Sequence, residues 1–139
     1  MSLRDDLAGV LARDARYSIH AYAFLFEALE HTKTMKKRAR ARGRARRLKP
    51  TVTARHVSGR EICEGARELA QRHYGLLAMT VLAQWGIRST SDLGNLVYNL
   101  IASGDLEKTP EDARADFDGV YDFEATFRRD YVVALDDVA

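Results

Sequence analysis

The stretch from Ser58 to Thr109 constrains the chain most, because it reads as three consecutive helices, each with its own start and stop. Ser58 and Glu61 have capping-box spacing, in which each side chain accepts from the other residue's free backbone N–H. Apolar residues then fall at Ile62, Ala66, Leu69 and Ala70, one helical face, until Gly75 supplies a left-handed stop. A second helix, Leu76 to Trp85, is apolar on most sides and is expected to lie in the core, ending at Gly86. Ser89 or Thr90 caps the third. Its Leu93, Leu96, Val97, Leu100 and Ile101 follow the i, i+3, i+4, i+7, i+8 rule up to Gly104, the clearest amphipathic signal in the chain.

The 139 residues fit one domain, 1–139, large enough to bury a core without disulfides or metals. The lone cysteine, Cys63, cannot form an internal bridge, which points to a cytoplasmic setting. The apolar runs Ala21 to Phe26 and Leu76 to Ala83 fall far short of the roughly 18 to 20 residues of a membrane span. The acidic start, Met1 to Asp6, does not read as an export signal, so no membrane role is expected.

A net charge of +2 hides a strong asymmetry. Lys33 to Lys49 holds 10 of the 22 basic residues and no acid, leaving 12 bases against 20 acids elsewhere. From Asp105 onward there are 11 acids against only Lys108, Arg114, Arg128 and Arg129. The basic tract and the acidic C-terminal region therefore call for different partners.

Before the block, Ser2 and Asp5 offer a capped start for a short helix presenting Leu3, Leu7, Val10 and Leu11. Ser18 can cap a second helix with the stripe Tyr22, Leu25, Phe26 and Leu29, widened by Ile19, Ala21, Ala23 and Phe24. Beyond Glu30 the composition turns to Lys, Arg and Ala. The helix can run past Met35, but Gly43 and repulsion among Arg38, Arg40, Arg42, Arg44 and Arg46 argue for fraying, so 33–49 reads as a basic loop. Pro50, Thr51 and Thr53 mark an extended connector.

After the block, Asp105 to Lys108 looks extended, Thr109, Pro110 and Asp112 start a short helix, and Val120 to Phe123 is a second extended candidate. Asp122 can cap a last helix bearing Phe123, Phe127, Tyr131 and Leu135. The fold expected is mainly α: a compact helical domain with a minor β hairpin, winged-helix-like over about 58–123, with flanking helices at both ends. Leu25, Leu29, Ile62, Leu69, Leu82, Trp85, Leu93, Leu96, Val97, Leu100 and Phe127 are the expected core.

A winged helix suggests DNA reading, yet the polar side of the third helix offers Asp92, Asn95, Tyr98 and Asn99 without one Lys or Arg. The basic tract is the stronger chemical feature. Arginines clamp phosphates bidentately, and a tract with so few aromatics suits backbone contact more than base stacking. The expected function is that of a non-enzymatic nucleic-acid-associated accessory protein, with RNA, including ribosomal RNA, slightly preferred over DNA. Its phosphate clamps would be Lys36, Lys37, Arg38, Arg40, Arg42, Arg44, Arg46 and Arg47. Two plainer uses of the tract compete: a solvated loop, or a segment neutralised by the acidic C-terminal region.

The alternative function is a protein interaction module or homo-oligomer using the acidic C-terminal region and an aromatic surface of Phe24, Tyr98 and Tyr121. Catalytic spacings are thin. His20 and His31 would sit about 16 Å apart along one helix, too far to share an ion, and Cys63 with His73 has no ligand spacing. Glu64 and Glu68 pair with their own helix's arginines as a solvated face. No phosphate-binding glycine loop or nucleophile elbow is present, so no catalytic residue, metal or cofactor is expected.

The segments YAFLFEAL from Tyr22, HVSGREICEGAREL from His56, YGLLAMTVLAQWGIRSTS from Tyr74, and LGNLVYNLI, KTPEDARADF and YDF between Leu93 and Phe123 together resemble the Minf-type family of small bacterial proteins. That family has no assigned activity, cofactor or catalytic residues, so the resemblance implies no site. The Lys33 to Lys49 tract lies between the matching segments and looks like a variable insertion.

Overall fold

A computed structural model describes residues 6–44, 57–110 and 112–129. Five α-helices follow in order: α1 Ala8–Arg13, α2 Ile19–Arg44, α3 Gly59–Tyr74, α4 Ala78–Gln84 and α5 Thr90–Ala102. A 3-10 turn at Gly75–Leu77 joins α3 to α4, a second lies at Arg114–Phe117, and a π-helical turn at Ala125–Arg129 ends the described chain. The protein is mainly helical, and no described helix is long and apolar enough to cross a membrane.

Helix α3 starts where its cap chemistry dictates. Ser58 Oγ accepts from Glu61 N at 3.1 Å and Glu61 Oε1 accepts from Ser58 N at 2.9 Å, satisfying two otherwise orphan donors. It ends at Gly75, whose φ of 53° suits glycine alone at no steric cost. Helix α5 follows its apolar stripe: Leu93, Leu96, Val97 and Leu100 are all buried. Its first turn is closed by Asp92, whose carboxylate accepts from the N–H groups of Arg88 and Ser89.

Helix α2 is the long strut of the fold and packs chiefly along α3. Tyr22, Leu25, Ala28 and Leu29 bury its apolar face. The crossing is close because Gly65 faces Thr32: a Cβ there would lie 1.9 Å from Thr32 Oγ1. Phe117 plays a similar part at the other side of α3. Its ring lies against Gly59 of α3 and Gly94 of α5, where an added Cβ would come within 2.9 and 2.8 Å. The second 3-10 turn thereby fills the gap between two helices.

The structure corrects several expectations. Of the loop expected at 33–49, residues 33–44 are helical, and 45–49 lie outside the described residues. Alanine and arginine are good helix formers, and cations at a helix C-terminus are favoured by its dipole, which outweighs the repulsion invoked for fraying. The minor β hairpin does not form among the described residues. Asp112 takes the N–H of Thr109 and Asp116 that of Ala113, while Leu106 N bonds back to Leu100 O, so the described residues of 105–117 curl into turns. A winged helix would need paired strands here, and none form among the described residues.

Leu76–Trp85 is a 3-10 turn followed by a short helix, of which only Ala78 and Leu82 are buried. Leu76 and Leu77 are 60% and 64% exposed. Trp85, expected in the core, is half-buried at its edge against Phe24, Tyr74 and His20. The other ten expected core residues are buried. Ser18 begins α2 through its carbonyl, which accepts from Ala21 N, and its hydroxyl has no partner among the described residues. Asp122 caps the last turn by accepting from Ala125 N at 2.9 Å. The expected roles of Ser2, Leu3, Asp5, Pro50, Thr51, Thr53, Tyr131 and Leu135 fall outside the described residues.

Candidate functional site

Helix α2 carries the basic tract away from its packed region. The last tie to α3 among the described residues is Lys36, half-buried, whose Nζ lies 3.1 Å from Glu61 Oε1. Partial burial pushes the Glu61 carboxyl up, but the Ser58 N–H and the Lys36 ammonium outweigh it and hold the group below its ordinary value. Of the eight predicted clamps, Lys36 is thus already engaged in the fold. Lys37 and Arg38 are exposed on the next turn. Arg40, Arg42 and Arg44 continue the same helix, and Arg46 and Arg47 fall outside the described residues. Helical geometry turns the i, i+2 alternation by about 200° per step, so positions 38 and 42 lie on one side and 40 and 44 on the other. The result is a basic rod with no apolar stripe beyond Met35.

The polar side of α5, which a winged-helix protein would turn toward DNA, is occupied from within. Tyr17 Oη donates to Asp92 Oδ1 at 2.5 Å and accepts from Asn95 Nδ2 at 2.8 Å. Asn99 Nδ2 donates to Asp14 at 2.9 Å and to Tyr22 Oη at 3.1 Å. Arg114 bonds to Asn95 Oδ1. Arg16 grips Asp14 through Nε and Nη2 at 2.9 and 2.8 Å, which holds the Asp14 carboxyl well below the usual range, with Asn99 assisting. Burial and the neighbouring Asp92 push the Tyr17 phenol up to about 12. Three of the four polar residues on this face therefore serve the fold.

The fourth, Tyr98, is half-buried, and its hydroxyl has no partner among the described residues. The expected aromatic surface does not form. Phe24 is 4% exposed, and Tyr121 donates its hydroxyl to Cys63 O at 2.7 Å within a cluster with Phe123 and Phe127.

A cavity of about 420 Å³ opens between α2, α3, α5 and the acidic segment. Leu29, Ile62, Val97, Ile101 and Phe117 form its apolar wall, and Lys33, Glu107, Asp112 and Asp116 stand among its polar residues. No sequence signal singled it out, because its wall is drawn from four separate segments.

The three described histidines are accounted for by packing, and His56 lies outside the described residues. His20 stacks on Trp85, His73 meets Tyr74 edge-on, and His31 Nε2 lies 3.2 Å from Glu68 Oε1. Cys63 is buried and its thiol is pushed up to about 12. Among the described residues no group of three or more His, Cys, Asp or Glu is placed to hold a metal ion. Glu64 and Glu68 pair with Arg67 and Arg72, as the helix spacing predicts.

No family model, curated protein or solved structure matches this chain. The functional reading accordingly rests on the residues themselves.

Proposed function

We propose that the protein is a non-enzymatic accessory factor that grips nucleic-acid backbone through the basic end of α2, with RNA slightly preferred over DNA. One observation carries this reading: the tract continues α2 as a helix past the last tie to α3 among the described residues, with Lys37 and Arg38 exposed and no acid between Glu30 and the helix end at Arg44. A basic rod without a one-sided apolar face suits phosphates flanking a groove and suits a membrane surface poorly. Lys37, Arg38, Arg40, Arg42 and Arg44 are the clamps, joined by Arg46 and Arg47, while Lys36 anchors the rod through Glu61. In this reading the order α3, α4, α5 is a winged-helix-like scaffold with a strandless wing, and α5 does not read bases because its polar face serves the fold. The protein works in the cytoplasm, where a single buried thiol stays reduced.

The test is fluorescence anisotropy of the full chain with short RNA and DNA over a range of salt. Binding that weakens steeply with salt is expected; weak binding at low salt, or binding indifferent to salt, counts against the clamp. A second reading, a surface for another protein or a second copy, is favoured by the adjacent exposed pair Leu76 and Leu77.

A further inference from the structure

We infer that the basic end of α2 seats lengthwise in a duplex groove about as wide as a helix, with a row of phosphates on each flank, and does not track a single strand. This deepens, and rests on, the phosphate-gripping function proposed above. Each residue of an α-helix turns about 100° from the last. Leu25, Ala28, Leu29 and Thr32 are buried and mark the side of α2 that faces the core, and Lys36, tied to Glu61, falls on the same side. Lys37, Arg40 and Arg44 succeed one another at i, i+3 and i+7, so these positions form one line along the helix. Arg38 and Arg42, at i and i+4, form a second. The two lines lie roughly 150° apart around the axis, one on each flank of the outward side. Between them, opposite the buried face, come Thr34 and Ala41, both exposed.

That pattern has the dimensions of a groove filler. A helix with its side chains is about 10–12 Å across, and the B-form major groove is about 12 Å wide. From Lys37 to Arg44 the rod is about 10 Å long, room for about three phosphates on each strand at their ~3.4 Å spacing. A lone extended strand supplies one row of phosphates and serves only one of the two lines. Short side chains on the centre line let the rod sink between the walls, where a long one would hold it off. The sequence from His31 to Arg60 holds no acid, so the chain leading into and out of the rod adds none to repel phosphates. Glu30, 3.5 Å from Lys33, marks the end of the rod toward the domain. The major groove of a regular A-form RNA stem is too narrow for a helix. The chemistry recognised is therefore that shared by B-form DNA and an RNA stem opened by a bulge: two phosphate rows at helix width.

The experiment is a competition titration of the full chain, read by anisotropy at several salt concentrations, against four probes of matched phosphate number. They are a B-form DNA duplex, an RNA stem widened by a bulge, the same stem without its bulge, and an unpaired RNA strand. At least one open-groove probe should bind at least tenfold more tightly than both the regular stem and the single strand, and the tighter of the two identifies the source. Arg38→Ala with Arg42→Ala removes one line and should bring the duplex-to-strand ratio close to one. Ala41→Trp, which adds bulk to the centre line at an exposed position without changing charge, should do the same. An unchanged melting temperature establishes that each variant folds, and should one fail to, the other carries the test. Equal affinity for open-groove probes and the single strand, with steep salt dependence, overturns the groove seating and leaves the phosphate grip standing. A tenfold preference that survives the variants also overturns it, and no salt-dependent binding to any probe overturns both readings.

Discussion

Tyr17 donates its phenol proton to Asp92 at 2.5 Å, joining the turn before α2 to the first turn of α5 across 75 residues of sequence. The same carboxylate closes the start of α5 through Arg88 N and Ser89 N, so one side chain ends a tertiary contact and begins a helix. Tyr17→Phe removes this bond and strands Asn95 Nδ2, one of the hydroxyl's donors. A loss of about 1–3 kcal/mol in urea unfolding is expected. A change within experimental error would mean that the network adds nothing to the fold.

Stability should fall at both ends of the pH range for identifiable reasons. Asp14 is held below its ordinary 3.8 by Arg16, so its contribution is full above that value and is lost as pH falls through the lowered one. Tyr17 is raised from 10.0 to about 12, so its contribution is full below pH 10 and is lost as pH climbs through 12. Asp14→Asn should flatten the acid limb of a stability profile, and Tyr17→Phe the alkaline limb. Unaltered limbs in these variants would refute the attribution.

Gly65→Ala should destabilise by about 1–3 kcal/mol or more, because the new methyl meets Thr32 Oγ1 on a crossing helix with no room to part. Thr32→Ala in the same chain should recover only part of the loss, since the Thr32 Cβ itself would lie 3.0 Å away. Thermal unfolding of the two variants decides this, and a neutral Gly65→Ala would mean that the α2–α3 crossing is looser than described.

Tyr98→Phe should be neutral, or stabilising by up to about 1 kcal/mol, because it deletes a buried hydroxyl without a partner among the described residues. Destabilisation beyond that would reveal a partner for the hydroxyl.

Much of the fold was legible where the signal was local. The Ser58 and Glu61 cap, the Gly75 stop, the α5 stripe and the Asp122 cap each depend on residues within a few positions of one another. The failures share a non-local cause. Nothing near Asn95 or Asn99 announces that Tyr17 and Asp14 will cover them, so a face that reads as solvent-exposed became an internal network. Leu76 and Leu77 read as core by hydropathy, but the turn after Gly75 directs them outward. In 33–44 helix propensity prevails over arginine repulsion, because solvent and salt screen the repulsion and each residue adds to the propensity. The basic tract itself was plain in composition, and its exposed start at Lys37 and Arg38 required the structure.

The central claim turns on two exposed residues. Lys37→Glu with Arg38→Glu reverses charge on the first free turn of the basic rod without touching the core or the Lys36–Glu61 tie. Anisotropy with a short single-stranded RNA should give a log Kd that rises with log salt at a slope of about 4 to 6 for the parent chain, as for six to eight phosphate contacts. The double variant should bind at least tenfold more weakly, with a slope lower by one or more and an unchanged melting temperature. Equal affinity and equal slope in the two proteins would contradict a phosphate-gripping role for the end of α2.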